Sequence, residues 1–194
     1  NAPIASVCLF CGSNTGTRPA YADAAAQVGR ALASRGMTLV YGGGRVGLMG
    51  IIADAALGAG GQVIGIIPQH LVDAEAGHGG VTELYIVDNM HERKRKMFDL
   101  SDGFAVLPGG IGTLDETFEM MSWRQLRLHD KPIVLVNEGG YWAPLLDLIH
   151  EMVTVGYAKP AHLKLLTVVD RVDEVLDALH HAPEPAVSPA ARWF

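Results

Sequence analysis

Short runs of β-branched and apolar residues alternate with stretches of helical periodicity along almost the whole chain, and this alternation restricts the fold more than any other feature. It predicts strands at 5–10, 37–41, 62–67, 83–87, 103–107, 133–137 and 165–169, with helices at 19–34, 48–59, 90–100, 113–128, 141–155 and 172–180. That order reads as α/β: a single Rossmann-like doubly wound domain of about seven mostly parallel strands, with helices on both faces. No internal repeat or shift of composition marks a second domain. Residues 1–181 are expected to form the domain, and 182–194, rich in Pro and Ala, a C-terminal tail.

Composition removes several classes of function. With 49% hydrophobic residues and a formal net charge of -6, the chain is too apolar and too weakly charged for disorder. The mild acidity speaks against binding nucleic acid, which usually shows as a basic domain. No apolar run approaches the roughly 20 residues that a membrane span needs. Two cysteines cannot staple a domain of this size, and no signal-like segment opens the sequence, so a reducing cytoplasmic location is expected.

One excess remains: 23 of the 194 residues are glycine, against a usual share of roughly 7%. They concentrate where predicted strands end and helices begin, at Gly12, at Gly42, Gly43, Gly44 and Gly47, and at Gly109, Gly110 and Gly112. In open α/β sheets the ligand crevice lies at those carboxyl ends. Glycine lets a backbone approach a ligand closely, and bare amides at a helix N-terminus bind anions. Short βα turns also need glycine, but three such loops together point to a phosphate-bearing small molecule facing Gly12, Ser13, Gly43, Gly44 and the third loop.

Familiar motifs fit poorly. Gly42, Gly44 and Gly47 satisfy G-x-G-x-x-G, yet they follow the second strand, and the next strand ends Ile66-Ile67-Pro68 without the acidic residue that holds a ribose. Neither Gly43 nor Gly110 is followed by the Gly-Lys-Ser/Thr of a nucleoside triphosphate loop. Cys8 and Cys11 have C-x-x-C spacing, but Cys8 falls inside a strand, where it reads as a small apolar residue. The eight histidines form no metal-ligand spacing.

Two helix starts carry the chemistry. Asn89 with Glu92 reads as an N-cap, and the cations Arg93, Lys94, Arg95 and Lys96 follow at once. The positive end of the helix dipole disfavours each by about 0.3–1 kcal/mol, so an anion or acidic groups are expected nearby. Helical spacing allows at most two of the four to face one ligand; Arg95 and Lys96 read as a solvated face. The second start is Pro108-Gly109-Gly110-Ile111-Gly112-Thr113-Leu114-Asp115-Glu116. Thr113 and Glu116 have the form of a capping box, which would account for Glu116 without chemistry. The alternative is an anion cradle followed by a carboxylate that stabilises an oxocarbenium-like transition state, holds ribose hydroxyls or orients water.

At these residues the chain resembles the LOG ("lonely guy") family of phosphoribohydrolases, also labelled lysine decarboxylase-like. The family pattern P-G-G-x-G-T-x-x-E is matched from Pro108 to Glu116, and M-H-x-R-K by Met90, His91, Arg93 and Lys94. The likeness runs from Cys11-Gly12-Ser13 through Tyr41 and Gly47-Leu48-Met49-Gly50 to Trp123, Gln125, His129-Asp130-Lys131-Pro132 and Gly140-Tyr141. It implies hydrolysis of the N-glycosidic bond of a nucleoside 5′-monophosphate, a cytokinin riboside 5′-monophosphate or AMP, to free base and ribose 5-phosphate. It further implies that Arg93 and Glu116 are the catalytic pair, and that Gly109, Gly110, Gly112 and Thr113 cradle the phosphate. Lys94 and Asp115 would line the site, and Glu75 would contact substrate, although 73–80 departs from the plant pattern. No cofactor and no metal is implied. A homodimer is, with Met120, Met121 and Trp123 on the helix after Glu116 as the candidate contact; plain core packing is the other account of those residues.

Two rival functions stay open on the sequence. A pyridoxal phosphate decarboxylase needs a lysine for its Schiff base, and of five lysines only Lys94 falls near a phosphate loop. A nucleotide sensor without turnover needs the glycines but neither Arg93 nor Glu116.

Overall fold

The computed structural model describes residues 3–74 and 76–183. Seven strands form one sheet in the order β4-β3-β2-β1-β5-β6-β7: β1 (Ser6–Phe10), β2 (Thr38–Tyr41), β3 (Val63–Pro68), β4 (Glu83–Val87), β5 (Gly103–Val106), β6 (Ile133–Val136) and β7 (Thr167–Val169). Every pairing is parallel. Five helices lie between them, α1 (Pro19–Ser34), α2 (Gly47–Gly58), α3 (Met90–Asp99), α4 (Ile111–Gln125) and α5 (Ala143–Thr154), and α6 (Val175–His181) follows β7.

Side chains of a strand alternate between faces, and β1 shows how that builds two cores. Val7, Leu9 and Cys11 pack with α1, α2 and α6, whereas Cys8 and Phe10 pack with residues of α3, α4 and α5. Both faces of β1 are therefore covered, which is why its sequence reads as a continuous apolar run rather than an alternating one. Pro19 opens α1, where its fixed φ suits a helix and its missing N–H has no intrahelical role to lose.

The chain steps outward from β1 to β4, and α3 then returns it to β5 on the other side of β1. The order reverses between β1 and β5, so the loops after these strands meet at the carboxyl edge. Gly12 N–H donates to Pro108 O at 3.1 Å, tying one loop to the other. No helix of the described residues is long and apolar enough to cross a membrane.

Three expectations need correction. Helix α4 starts at Ile111, not at Thr113, with Gly110 as its extended N-cap and no side-chain cap. Thr113 thus lies inside the first turn, and the capping-box account of Glu116 falls away. The C-terminal helix breaks into a 3₁₀ turn over Val172–Glu174 followed by α6. On α4, Met120 and Met121 are buried in the chain's own core and Trp123 packs edge-on against Phe98 at 5.1 Å, so the two methionines offer nothing to a second copy. Of the expected tail at 182–194, residues 184–194 lie outside the described residues.

The start of α2 seats the loop after β1. Leu48 N–H donates to Gly12 O at 3.1 Å, and Gly47 has φ +64°, with Ser13 carbonyl C only 2.2 Å from where a Cβ would stand. Gly47→Ala therefore adds a left-handed strain to a backbone clash and should cost about 2 kcal/mol or more. Urea unfolding reads this as a lower midpoint at unchanged slope; an unaltered midpoint would contradict the packing.

Candidate active site

A cleft of about 220 Å³ opens at the carboxyl edge, lined among others by Gly12, Ser13, Arg93, Gly110, Gly112, Thr113 and Glu116. A second cleft of about 240 Å³ adjoins it; Gly12, Ser13 and Gly110 line both, and Gly109 and Tyr141 line the second. A larger cavity of about 470 Å³ lies at the opposite, amino-terminal end of the strands, beside Ile4, Asp102 and Pro132. Its size does not make it the site, because no predicted site residue lines it and ligands of open α/β sheets bind at the carboxyl ends.

Arg93 projects from the first turn of α3 and is 4% exposed. Its Nε donates to Ile66 O at 3.1 Å and its Nη2 to Gly42 O, so two main-chain carbonyls at the ends of β3 and β2 hold the guanidinium. Hydrogen bonds to a charged group contribute about 1.5–3 kcal/mol each, more than the dipole at the helix start takes away. A guanidinium carries five N–H donors and no acceptor, so Arg93 can donate hydrogen bonds and stabilise negative charge.

Glu116 lies one turn further along α4 and lines the same cleft as Arg93. The thiols of Cys8 and Cys11 beneath it register its charge. Burial pushes both well above the usual thiol range, and the Glu116 carboxylate pushes them further.

The first intrahelical bond of α4 runs from Leu114 N–H to Gly110 O at 3.1 Å, so the amides of Ile111, Gly112 and Thr113 have no acceptor within the helix. The loop before it is held from two sides: Tyr141 OH donates to Gly109 O, and buried Thr113 fills the space a side chain at 109 would need.

Not every expected residue joins this group. Gly43 and Gly44 do not line either cleft: Gly43 O accepts the His78 N–H at 2.9 Å, and Gly44 bridges Gly77 in antiparallel fashion. Lys94 and Asp115 pair with each other instead, Nζ to Oδ2 at 3.0 Å. Glu119 Oε2 stands 3.2 Å from the same Nζ, an ion pair short of hydrogen-bond alignment. Burial lowers the Lys94 pKa, but the two carboxylates more than offset this and leave it raised. Arg95 pairs with Asp99 at the surface, and Lys96 lies over the Tyr85 ring. Glu75 lies outside the described residues. Conversely, Gly42, which belongs to the glycine cluster expected at the strand ends, lines the cleft, and so do Met49 and Leu71, which were not among the expected site residues. Two apolar side chains leave no mark in a sequence as cleft lining, whereas Glu119, four residues after Asp115, had a helical spacing that could have suggested its place beside Lys94.

Both cysteines are free thiols, and Cys11 touches the cleft. Since burial and Glu116 oppose thiolate formation, a disulfide reagent at pH 8 should leave both unmodified in the folded protein and label two per chain in urea. Rapid stoichiometric labelling of Cys11 without denaturant would refute the electrostatic assignment.

The chain matches the family described as "Possible lysine decarboxylase" over residues 49–179. A cytokinin riboside 5′-monophosphate phosphoribohydrolase of Rhodococcoides fascians is 44% identical over 175 residues, 90% of this chain and 88% of that one. Another, from Arabidopsis thaliana, is 42% identical over 189 residues, 96% of this chain and 83% of that one. Among solved structures, the molybdenum cofactor carrier protein of Chlamydomonas reinhardtii superposes with a TM-score of 0.70 at 18% identity, covering 91% of this chain and 96% of that one. At that identity the likeness concerns the fold alone.

Proposed function

Since the chain belongs to the LOG family of cytokinin riboside 5′-monophosphate phosphoribohydrolases, we propose that it hydrolyses the N-glycosidic bond of a cytokinin riboside 5′-monophosphate, and of AMP, to free base and ribose 5-phosphate. The observation that carries this reading is the meeting of Arg93, Glu116 and the amide-bearing start of α4 in one cleft. A 5′-phosphate at that start accepts from the amides of Ile111, Gly112 and Thr113 and is favoured by the helix dipole. This places the anomeric carbon toward Glu116. As the bond from C1′ to the base nitrogen breaks, positive charge develops on the sugar, and the Glu116 carboxylate stabilises it and orients a water. The water oxygen bonds to C1′ and its proton leaves for the departing base, while Arg93 orients Glu116 or substrate oxygens and stabilises the charge on the leaving base.

A lysine decarboxylase needs a lysine in the site, and no lysine lines either cleft among the described residues. Lys94 is committed to Asp115 and Glu119.

Chromatography of incubations with N6-isopentenyladenosine 5′-monophosphate and with AMP should show free base from the wild type. Glu116→Gln should fold normally and lose turnover by 100-fold or more, roughly the contribution of a positioned acid or base group. Arg93→Ala should lower kcat rather than only raise KM. Tight binding without release would mean a nucleotide sensor.

The same reading makes the protein a cytoplasmic homodimer. Ile111 on the cleft rim is 82% exposed, and Leu126 and Leu128 after α4 are exposed too, an apolar surface that a second copy would cover. Sedimentation should give twice the 20.7 kDa of the chain, and Leu128→Asp with Ile111→Asp should shift it to the monomer.

A further inference from the structure

His78 and Asp54 lie outside both clefts, yet they are bonded as if something depended on them. His78 is 5% exposed. Its Nδ1 accepts the Gly80 N–H at 3.1 Å, so the ring proton sits on Nε2 and is donated to Asp54 Oδ1 at 2.8 Å. Asp54 stands on α2 with its side chain 66% exposed. The pair thus fastens the connection between β3 and β4 to a helix on one face of the sheet.

What it fastens is a short patch of backbone pairing. His78 N–H donates to Gly43 O, Arg45 N–H to Ala76 O at 3.0 Å, and Gly44 and Gly77 form an antiparallel bridge. Ala76 has φ +46°, a strained value for a residue with a side chain, which persists only where the surroundings impose it. Residues 76–78 are therefore pressed onto 43–45 at some conformational cost. On the far side, Gly43 packs directly on Ile66, whose backbone N and C lie 3.1 Å from where a Gly43 Cβ would stand.

Gly42 and Ile66 are the residues whose carbonyls hold Arg93. A shift of 43–45 moves Gly42 directly and releases Ile66 from its neighbour, so both main-chain acceptors of the guanidinium are displaced together. We propose that His78 and Asp54 are positioning residues for Arg93, acting through the bridge between 76–78 and 43–45. This rests on the reading of Arg93 as a catalytic residue.

The test is a double-mutant cycle on base release from N6-isopentenyladenosine 5′-monophosphate. His78→Phe and Asp54→Ala should lower kcat roughly ten- to a hundredfold, as misplacement by about an ångström does, with KM changed less than about twofold. Asp54→Asn keeps the acceptor oxygen and should restore kcat to within about threefold of wild type. In an Arg93→Lys background, where two carbonyls can no longer be held by one planar group, His78→Phe should have no further effect. Asp54 is exposed, so Asp54→Ala reports even if His78→Phe does not fold. A lower melting temperature with unchanged kcat, or effects that add in the Arg93→Lys background, would overturn the proposal. If the wild type releases no base, the assigned reaction fails instead. The cycle is then read as AMP affinity by calorimetry, where non-additivity of His78→Phe and Arg93→Lys supports the coupling and additivity sinks it.

Discussion

Where β1 and β5 lie side by side, their crossover connections depart in opposite directions and leave the carboxyl ends of both strands uncovered. The two loops that follow are bonded to each other through Gly12 and Pro108, and each is backed by a helix start: α2 behind the first, α4 within the second. A gap of this kind exposes main-chain amides that the sheet cannot use. The geometry that makes a parallel sheet possible thus also creates its binding site.

Into that gap the chain directs one buried cation. An arginine in a nearly dry position is costly unless its donors are met, and here the carbonyls of Gly42 and Ile66, just past the last β2–β3 ladder pair, accept from two of them. Two of the contacts that fix Arg93 are thus to backbone, at positions the sheet itself sets. Next to it on α3, Lys94 reaches the carboxylates of Asp115 and Glu119, which flank Glu116 on α4. One helix turn therefore sends adjacent cations to two tasks, one facing the cleft and one binding α3 to α4 behind it.

Much of this was legible in the sequence, and the parts that were not share a cause. The limits of α1 and β4 agree with those expected, because Pro19 and the apolar runs are local signals. Arg93 stood out through conflict with local preference, as one of four cations at the positive end of a helix, and Glu116 through its place behind three glycines. The start of α4 was misplaced because Thr113 and Glu116 imitate a capping box, while Gly110, a residue without a side chain, performs the actual turn. Met120 and Met121 could face either the core or a partner, since periodicity gives the face of a helix but not what covers it. Two acceptors of Arg93, the carbonyls of Ile66 and Gly42, are main-chain atoms, and His78 and Asp54 are 24 positions apart on different elements. Contacts of this sort exist only once the sheet has assembled.

The volumes bear on how a nucleotide is accommodated. Small-molecule sites usually occupy about 300–1,000 Å³, and neither cleft, at about 220 and 240 Å³, reaches that alone. The two share Gly12, Ser13 and Gly110 as a common wall, and together they enter the range. A ligand filling both must pass over that wall, which is made of loop backbone and one small side chain. Gly12 and Ser13, the small residues after β1, line both clefts and so bear on the continuity of the site.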